Sequence, residues 1–145
     1  MKAEPLLVSS HVSMQFFNQD GVVHVLDDIT FELQQGEIAA LLGPSGCGKS
    51  TILNILSGLM EPTGGTIRRI GSIGYMFQRD HLLDWRTIYD NVCIGLEIQN
   101  LRKSEEHLQK VERLLRTYDL WEFRKRYPAE LSGGMRQRAA LIRTL

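Results

Sequence analysis

The sequence predicts an α/β fold, on the strength of three consecutive features between Glu37 and Leu59. Residues Glu37–Leu42 form an almost continuous apolar run, which is typical of a strand buried on both faces. A glycine-rich loop, Gly43–Thr51, follows directly. Apolar residues then recur at the spacing of an amphipathic helix, at Ile52, Leu53, Ile55, Leu56 and Leu59. A strand, a glycine loop and a helix therefore follow one another in order.

The composition is that of an ordinary globular protein. The 145 residues have the length of one domain, and 43% of them are hydrophobic and 23% charged. Seventeen Lys and Arg residues balance seventeen Asp and Glu residues, so no net positive field favours nucleic acid or anionic lipid. We therefore expect no nucleic-acid partner.

The two cysteines and the N-terminal residues favour a reducing, aqueous compartment. Cys47 and Cys93 have no metal-ligand spacing and no secretory context, so we expect no disulfide between them. Residues 1–10 contain too short an apolar run for a signal peptide. No apolar run approaches the roughly 20 residues of a membrane helix. Any role in a membrane process is expected to be performed from the aqueous side.

Further strands are expected on both sides of the glycine loop. The runs Leu6–Phe16 and Ile29–Leu33 read as strands, with turns at Asn18–Gly21 and Gln34–Gly36. The helix after the loop is expected to stop at Glu61–Gly65. Another strand is then predicted at Ser72–Phe77.

The second half of the sequence is mainly helical. Ser104–Tyr118 carries one apolar face, formed by Leu108, Val111, Leu114, Leu115 and Tyr118. Tyr127-Pro128 breaks this region, and Leu131–Met135 opens a last helix. We therefore divide the chain into a β-rich part with the glycine loop at 1–89, a helical subdomain at 90–128 and a final segment at 129–145.

The glycine loop has the pattern of a phosphate-binding loop. Gly43, Gly48, Lys49 and Ser50 fit G-x-x-x-x-G-K-[ST], and the predicted strand and helix give the required context. Glycines allow backbone N–H groups to surround a phosphate at the positive end of a helix. Lys49 is predicted to neutralise β- and γ-phosphates, and Ser50 to bind Mg²⁺. The nucleotide-binding residues are predicted to be Gly43, Pro44, Ser45, Gly46, Cys47, Gly48, Lys49, Ser50 and Thr51.

A second motif distinguishes among proteins with such loops. Leu131–Arg138, reading Leu-Ser-Gly-Gly-Met-Arg-Gln-Arg, resembles the signature of ATP-binding-cassette proteins, and Gln78 resembles their Q-loop glutamine. The resemblance covers nearly the whole chain. It implies an α/β, P-loop NTPase fold of the ABC type: an N-terminal β-rich part, a P-loop core and a helical subdomain, incomplete at the C-terminus.

The resemblance also implies roles for individual residues. Ser132, Gly133 and Gly134 would contact the γ-phosphate of an ATP held by a second nucleotide-binding subunit, so a homodimer is expected. Gln78 would contribute to Mg²⁺ binding or orient the attacking water, and Lys49 and Gln78 are the expected catalytic residues. Phe16 stands where the family places an aromatic residue on adenine, although Phe17 competes for this role and either one could simply pack against the fold.

The segment Gln78–Val92 indicates a narrower group within this family. It resembles importer ATPases of the nitrate, sulfonate and taurine group, in which a Leu-Leu-x-Trp-x-Thr stretch precedes the helical subdomain. The resemblance implies transmembrane permease subunits as partners and a peripheral position at the cytoplasmic face of the cell membrane. Leu82, Leu83 and Trp85 would suit docking of a permease helix, or would pack inside the helical subdomain. Nitrate, sulfonate, taurine or a pyrimidine precursor would all be compatible cargo.

The sequence departs from the family after Leu145. The family continues with segments that carry an Asp for Mg²⁺, a Glu that polarises the attacking water, and a His for the γ-phosphate. On this basis we expect a truncated product or fragment that binds ATP better than it hydrolyses it. A non-hydrolytic module pairing with an intact subunit is one alternative. A phosphate-loop kinase is another, but it leaves Leu131–Arg138 unexplained.

Overall fold

The computed structural model describes residues 4–19, 21–102 and 104–145. It contains two compact units, residues 1–73 and residues 74–145. The first unit holds the glycine loop, and the second holds Gln78 and the Leu131–Arg138 motif. The division into 1–89, 90–128 and 129–145 stays a prediction.

The first unit contains an antiparallel sheet. Strand β1 (Leu7–Asn18) lies between β2 (Gly21–Leu33) and β3 (Gly64–Arg69), and both pairings are antiparallel. The prediction of a strand at Leu6–Phe16 is confirmed, and β2 begins eight residues before the predicted Ile29. Irregular pairing between Ser9 and Gln15 coincides with His11, whose φ of 53° departs from strand geometry. Of the predicted turn at Asn18–Gly21, Asp20 lies outside the described residues.

One helix completes the core of this unit. Helix α1 (Lys49–Ser57) buries Ile52 and Ile55 against Val12, Met14 and Leu26 of the sheet. The helix ends at Gly58, where φ is 82° and the N–H donates to the carbonyl oxygen of Ile55 at 3.1 Å. A glycine in the left-handed region is a common helix stop. The helix therefore ends before the predicted Glu61–Gly65.

Two of the predicted strands are absent. Glu37–Leu42 has no strand structure, and the side chains of Ile38 and Leu42 are 99% and 91% exposed. Ser72–Phe77 has none either. A strand exists only when a neighbour completes its hydrogen bonds, and the sheet of the described residues consists of β2, β1 and β3 alone. The prediction of a buried strand at Glu37–Leu42 is therefore wrong.

The second unit is helical. It comprises α2 (Ile88–Val92), α3 (Ile94–Ile98), α4 (Glu105–Thr117) and α5 (Gly133–Thr144), with 3₁₀ turns at Trp121–Phe123 and Pro128–Glu130. The predicted apolar face of α4 is confirmed. Val111 and Leu115 are buried, while Leu108, Leu114 and Tyr118 pack against the same core. That core also contains Ile88, Val92, Leu120, Leu131, Ala139, Ala140 and Ile142.

The two cysteines differ in their surroundings: Cys47 is exposed and Cys93 is buried, and both are free thiols. Within the described residues, none of the helices combines the length and the apolar character that crossing a bilayer requires.

Candidate functional site

The start of α1 has the geometry of an anion cradle. Gly48 is the N-cap residue, with a φ of 91°, and as a glycine it offers no side-chain hydrogen bond to the first turn of the helix. A Cβ on Gly48 would lie 2.9 Å from both the Val25 carbonyl oxygen and Leu26 Cδ2. Only glycine fits this backbone and this space without rearrangement. The first-turn N–H groups of α1 therefore carry no side-chain cap, and residues Gly43–Cys47 before them are exposed.

The ammonium group of Lys49 lies over the loop. Lys49 Nζ donates to the carbonyl oxygens of Gly43 at 2.9 Å and Pro44 at 2.6 Å, and lies 3.5 Å from Cys47 Sγ. The loop is closed by a turn in which the N–H of Cys47 donates to Pro44 at 3.4 Å. The positive charge is thus held next to the exposed loop by carbonyl oxygens, which a phosphate oxygen could replace.

The other predicted ligands of this unit lie on α1 and β1. Ser50 is exposed and Thr51 half-buried, both in the first turn of α1. Phe16 and Phe17 pair with Val23 and Val22 of β2. Both phenyl groups are exposed, so neither is buried in the core of the unit.

A concavity of about 210 Å³ adjoins the loop within the same unit. Its wall combines apolar side chains of β2 with the loop itself. The lining residues are Leu26, Ile29, Phe31, Leu41, Leu42, Cys47, Gly48, Lys49 and Ile52. An apolar wall beside an anion cradle suits a ligand with both an apolar and a phosphate part.

In the second unit, Ser132 caps α5. Its hydroxyl oxygen accepts the N–H of Met135 at 3.3 Å. Gly133 and Gly134 follow in the first turn and are exposed. A Cβ on Gly134 would meet nothing within 4 Å, and one on Gly133 would only graze Arg136 at 4.0 Å. Glycine weakens a helix relative to alanine. Within the described residues, no neighbouring atom requires glycine at either position.

Gln78 is exposed, and its main chain is tied to α5. Gln137 Nε2 donates to the Gln78 carbonyl oxygen at 3.1 Å. Sequence reasoning found Gln78 and Ser132 but missed the side chains that link their neighbourhoods. Arg136 Nε donates to Asp80 Oδ2 at 3.0 Å, and Arg143 donates to the carbonyl oxygens of Asp80 and His81, each at 2.7 Å. Partners more than 50 residues apart leave no local signal in one sequence.

The surroundings of Asp80 lower the pKa of its carboxyl group. Desolvation raises its pKa, but the hydrogen bond from the Leu82 N–H and the bond and charge of Arg136 outweigh this effect. The pKa of Asp80 therefore lies below its usual value of 3.8. Because the folded-state pKa is depressed, the stability contributed by this carboxylate is present above pH 3.8 and is lost as the pH falls through the lowered value.

The segment after Gln78 is divided between core and surface. Leu82 belongs to the core, Leu83 is half-buried, and Trp85 is 75% exposed. The fully buried Asn91 fixes this segment. Its Oδ1 accepts the N–H of Leu83 at 2.7 Å, and its Nδ2 donates to the carbonyl oxygens of Leu83, Arg86 and Thr87 at 3.0–3.1 Å. Trp85 is therefore displayed on an ordered loop.

The chain resembles known proteins along most of its length. The ABC transporter family profile matches residues 26–145. The chain belongs to the ABC transporter family.

Curated relatives agree with this assignment. An uncharacterised ABC transporter ATP-binding protein, YtlC of Bacillus subtilis, is 43% identical over 143 residues, covering 93% of this chain and 55% of that protein. The taurine import ATP-binding protein TauB of Jannaschia is 38% identical over 148 residues, covering 96% of this chain and 55% of TauB. The sulfate/thiosulfate import ATP-binding protein CysA of Bacillus cereus is 42% identical over 141 residues, covering 88% and 40%. The chain thus spans about half the length of these relatives.

Solved structures give the same fold. The dimeric structure of the bacterial ABC transporter cassette MJ0796 superposes with a TM-score of 0.83 at 28% identity, covering 96% of this chain and 68% of that one. A post-hydrolysis state of the same cassette, bound to ADP and Pi, gives a TM-score of 0.82 with the same coverage. The predicted α/β, ABC-type P-loop fold is therefore confirmed.

Proposed function

We propose that this ABC transporter chain is the ATP-binding part of an importer subunit that couples ATP binding and hydrolysis to the uptake of a small solute. The observation that carries the proposal is the loop at the start of α1. Position 48 has no room for a side chain, and Lys49 Nζ donates hydrogen bonds to carbonyl oxygens of the loop. ATP fits this donor set because its phosphates accept from backbone N–H groups and from an ammonium. When bound, ATP supplies the phosphoryl group whose transfer drives transport.

Each predicted site residue has a proposed task. Residues Gly43–Thr51 would hold the phosphates, and Lys49 would move from the loop carbonyl oxygens to the β- and γ-phosphates. The exposed hydroxyl of Ser50 would serve Mg²⁺, which prefers oxygen ligands. Phe16, with Phe17 as the alternative, would stack on adenine. Gln78 is proposed as an amide ligand of Mg²⁺ or of the attacking water.

The second unit is proposed to act on another copy. Gly133 and Gly134 leave open space at the positive end of α5, beside the Ser132 hydroxyl. A γ-phosphate held by a second nucleotide-binding subunit would fit there, since helix N-termini favour anions. The MJ0796 cassette is dimeric in its solved structure, which supports pairing between two copies.

Permease subunits are the proposed membrane partners, and the cytoplasmic face of the membrane is the proposed location. The relatives TauB and CysA are import ATP-binding proteins, which supports an importer over other ABC systems. Trp85 is the proposed contact, since it is a large exposed side chain on an ordered loop and aromatic residues often anchor interfaces. Taurine-, sulfonate- or nitrate-like solutes are the proposed cargo.

The test is a thermal melt by circular dichroism with and without Mg-ATP, for wild type, Lys49→Ala and Lys125→Ala. A ligand at about a hundred times its dissociation constant adds about 2.7 kcal/mol to the stability of the folded state. We expect Mg-ATP to raise the melting midpoint of wild type and of Lys125→Ala by several degrees, and to leave Lys49→Ala unchanged. Lys125 is the control because it is an exposed lysine of the second unit, outside the loop. An equal shift in all three proteins would refute the proposed function.

A further inference from the structure

Helix α5 holds residues 78–81 through hydrogen bonds from its side chains to their main chain. Gln137 donates to the Gln78 carbonyl oxygen, and Arg143 donates to those of Asp80 and His81. The distances, from 2.7 to 3.1 Å, are those of well-formed hydrogen bonds. The main chain at residues 78–81 is therefore fixed by the same helix that Ser132 caps.

Arg136 extends this link to the helix start itself. Its Nε donates to Asp80 Oδ2 at 3.0 Å, and its Nη1 donates to the Leu131 carbonyl oxygen at 2.9 Å. Leu131 is buried and directly precedes the N-cap Ser132. Asp80 uses its other oxygen to accept the N–H of Leu82 at 3.2 Å. One guanidinium thus connects a residue two positions after Gln78 with the residue just before Ser132.

The chemistry of this connection favours a rigid link. A guanidinium is planar, so bonds from two of its nitrogens fix the relative placement of the two acceptors. The side chains of Arg136 and Asp80 are only 35% and 25% exposed, so water screens the pair less than it screens the surface ion pairs of this unit. A lysine would place all of its donors on one terminal nitrogen and would lack the two separate donors, Nε and Nη1, that make these bonds.

We propose that Arg136 is a positioning residue, which holds the Gln78 main chain and the Ser132 helix start in one fixed arrangement. The proposal rests on the proposed function, in which Gln78 and Ser132 both serve a nucleotide. Displacement of the Gln78 segment would then be carried through Asp80 and Arg136 to the Ser132 cap. The binding groups of the second unit would respond together.

The test uses ¹H–¹⁵N NMR and amide hydrogen exchange on the whole chain. The Met135 N–H, which donates to Ser132 Oγ, reports on the cap. Asp80→Asn retains the shape of the side chain and an acceptor for Leu82 but removes the charge. We expect the Met135 and Gly134 amides, more than 50 residues away, to shift and Met135 to exchange about fivefold faster, because the cap bond is weakened. Exchange at Val111 and Leu115 in α4 should stay unchanged.

Two further variants separate positioning from general stability. Arg136→Lys keeps the positive charge but removes the two separate guanidinium donors, and should reproduce the Asp80→Asn effect at Met135. Arg116→Lys changes an exposed arginine that pairs with Glu112 along α4, and should leave Met135 as in wild type. Unchanged Met135 signals in both Asp80→Asn and Arg136→Lys would overturn the proposal. Faster exchange throughout α4 and α5 alike would also overturn it, because the link would then be merely structural.

The same spectra distinguish failure of this inference from failure of the proposed function. A titration of the wild-type chain with Mg-ATP should shift the amides of Gly43–Thr51. If those amides do not respond, the nucleotide-binding proposal fails. That result comes from a different set of amides and a different sample from the comparison at Met135, so each proposal can fail by itself.

Discussion

At the scale of single residues, the phosphate loop is determined by the backbone that glycine permits. Gly46 and Gly48 both have left-handed backbones, with φ of 81° and 91°. Their surroundings differ. A Cβ on Gly46 would meet nothing within 4 Å, whereas a Cβ on Gly48 would press on the Val25 carbonyl oxygen, which is backbone and cannot rotate away. The two glycines therefore separate the cost of backbone strain from the cost of a steric clash.

We predict that Gly46→Ala costs about 1 kcal/mol of stability, the price of a left-handed alanine. Gly48→Ala should cost about 3 kcal/mol, because the clash adds to that strain and displaces the start of α1 from the sheet. Urea unfolding followed by circular dichroism measures both variants. Equal costs would show that the start of α1 is free to move, and would weaken the case for a rigid anion cradle.

At the scale of elements, the sequence predicts what local chemistry determines. The glycine loop before α1 and the apolar face of α4 are both set by residues within a few positions of one another. Helix α1 ends before the predicted Glu61–Gly65 because Gly58 adopts a left-handed cap, a local stop signal that a glycine at this position already offers.

The run Glu37–Leu42 shows the opposite case. Its apolar residues predicted a buried strand, but burial and pairing depend on strands elsewhere in a sheet, and the described residues supply none beside it. The candidate site divides in the same way. The phosphate loop and the Ser132 cap are contiguous motifs, so they could be read directly. The Asp80–Arg136 and Arg143 links join residues whose proximity only the fold creates.

Helix α5 offers an element-scale test of the proposed pairing between copies. Gly134→Ala should stabilise the second unit by about 0.5–1 kcal/mol, because alanine favours a helix and the added Cβ meets open space. The same methyl group would occupy the space proposed for the γ-phosphate of a second copy. We therefore expect Mg-ATP-dependent self-association, measured by sedimentation velocity, to weaken about tenfold, a change of about 1.4 kcal/mol.

Gly95→Ala is the matched control for this experiment. Gly95 lies within α3, and a Cβ there would also meet nothing within 4 Å. It should raise the stability of the unit by a similar amount and leave self-association intact. If Gly134→Ala associates as strongly as Gly95→Ala, the first turn of α5 does not contact the second subunit's nucleotide.

At the scale of the whole molecule, the two units differ in how completely their apolar residues are buried. Among its described residues, the second unit encloses a core of eleven buried side chains, from Leu82 to Ile142. In the first unit, the apolar run Glu37–Leu42 leaves Ile38, Leu41 and Leu42 exposed. This run contains a single charged residue and neither glycine nor proline. Short apolar runs of this kind favour intermolecular strand pairing. Self-association without nucleotide is therefore expected to start from Glu37–Leu42.

We predict that Ile38→Lys reduces this nucleotide-independent association while changing stability by less than about 0.5 kcal/mol, since the side chain has few contacts to lose. Light scattering at increasing protein concentration, beside a thermal melt, measures both effects. Leu59→Lys is the control, because Leu59 is also a large exposed apolar residue, at 62%, but stands outside the Glu37–Leu42 run. Equal improvement in the two variants would mean that added charge alone suppresses association. A larger effect at Ile38 would identify Glu37–Leu42 as the segment through which copies associate, consistent with an apolar run that has no strand beside it within the described residues.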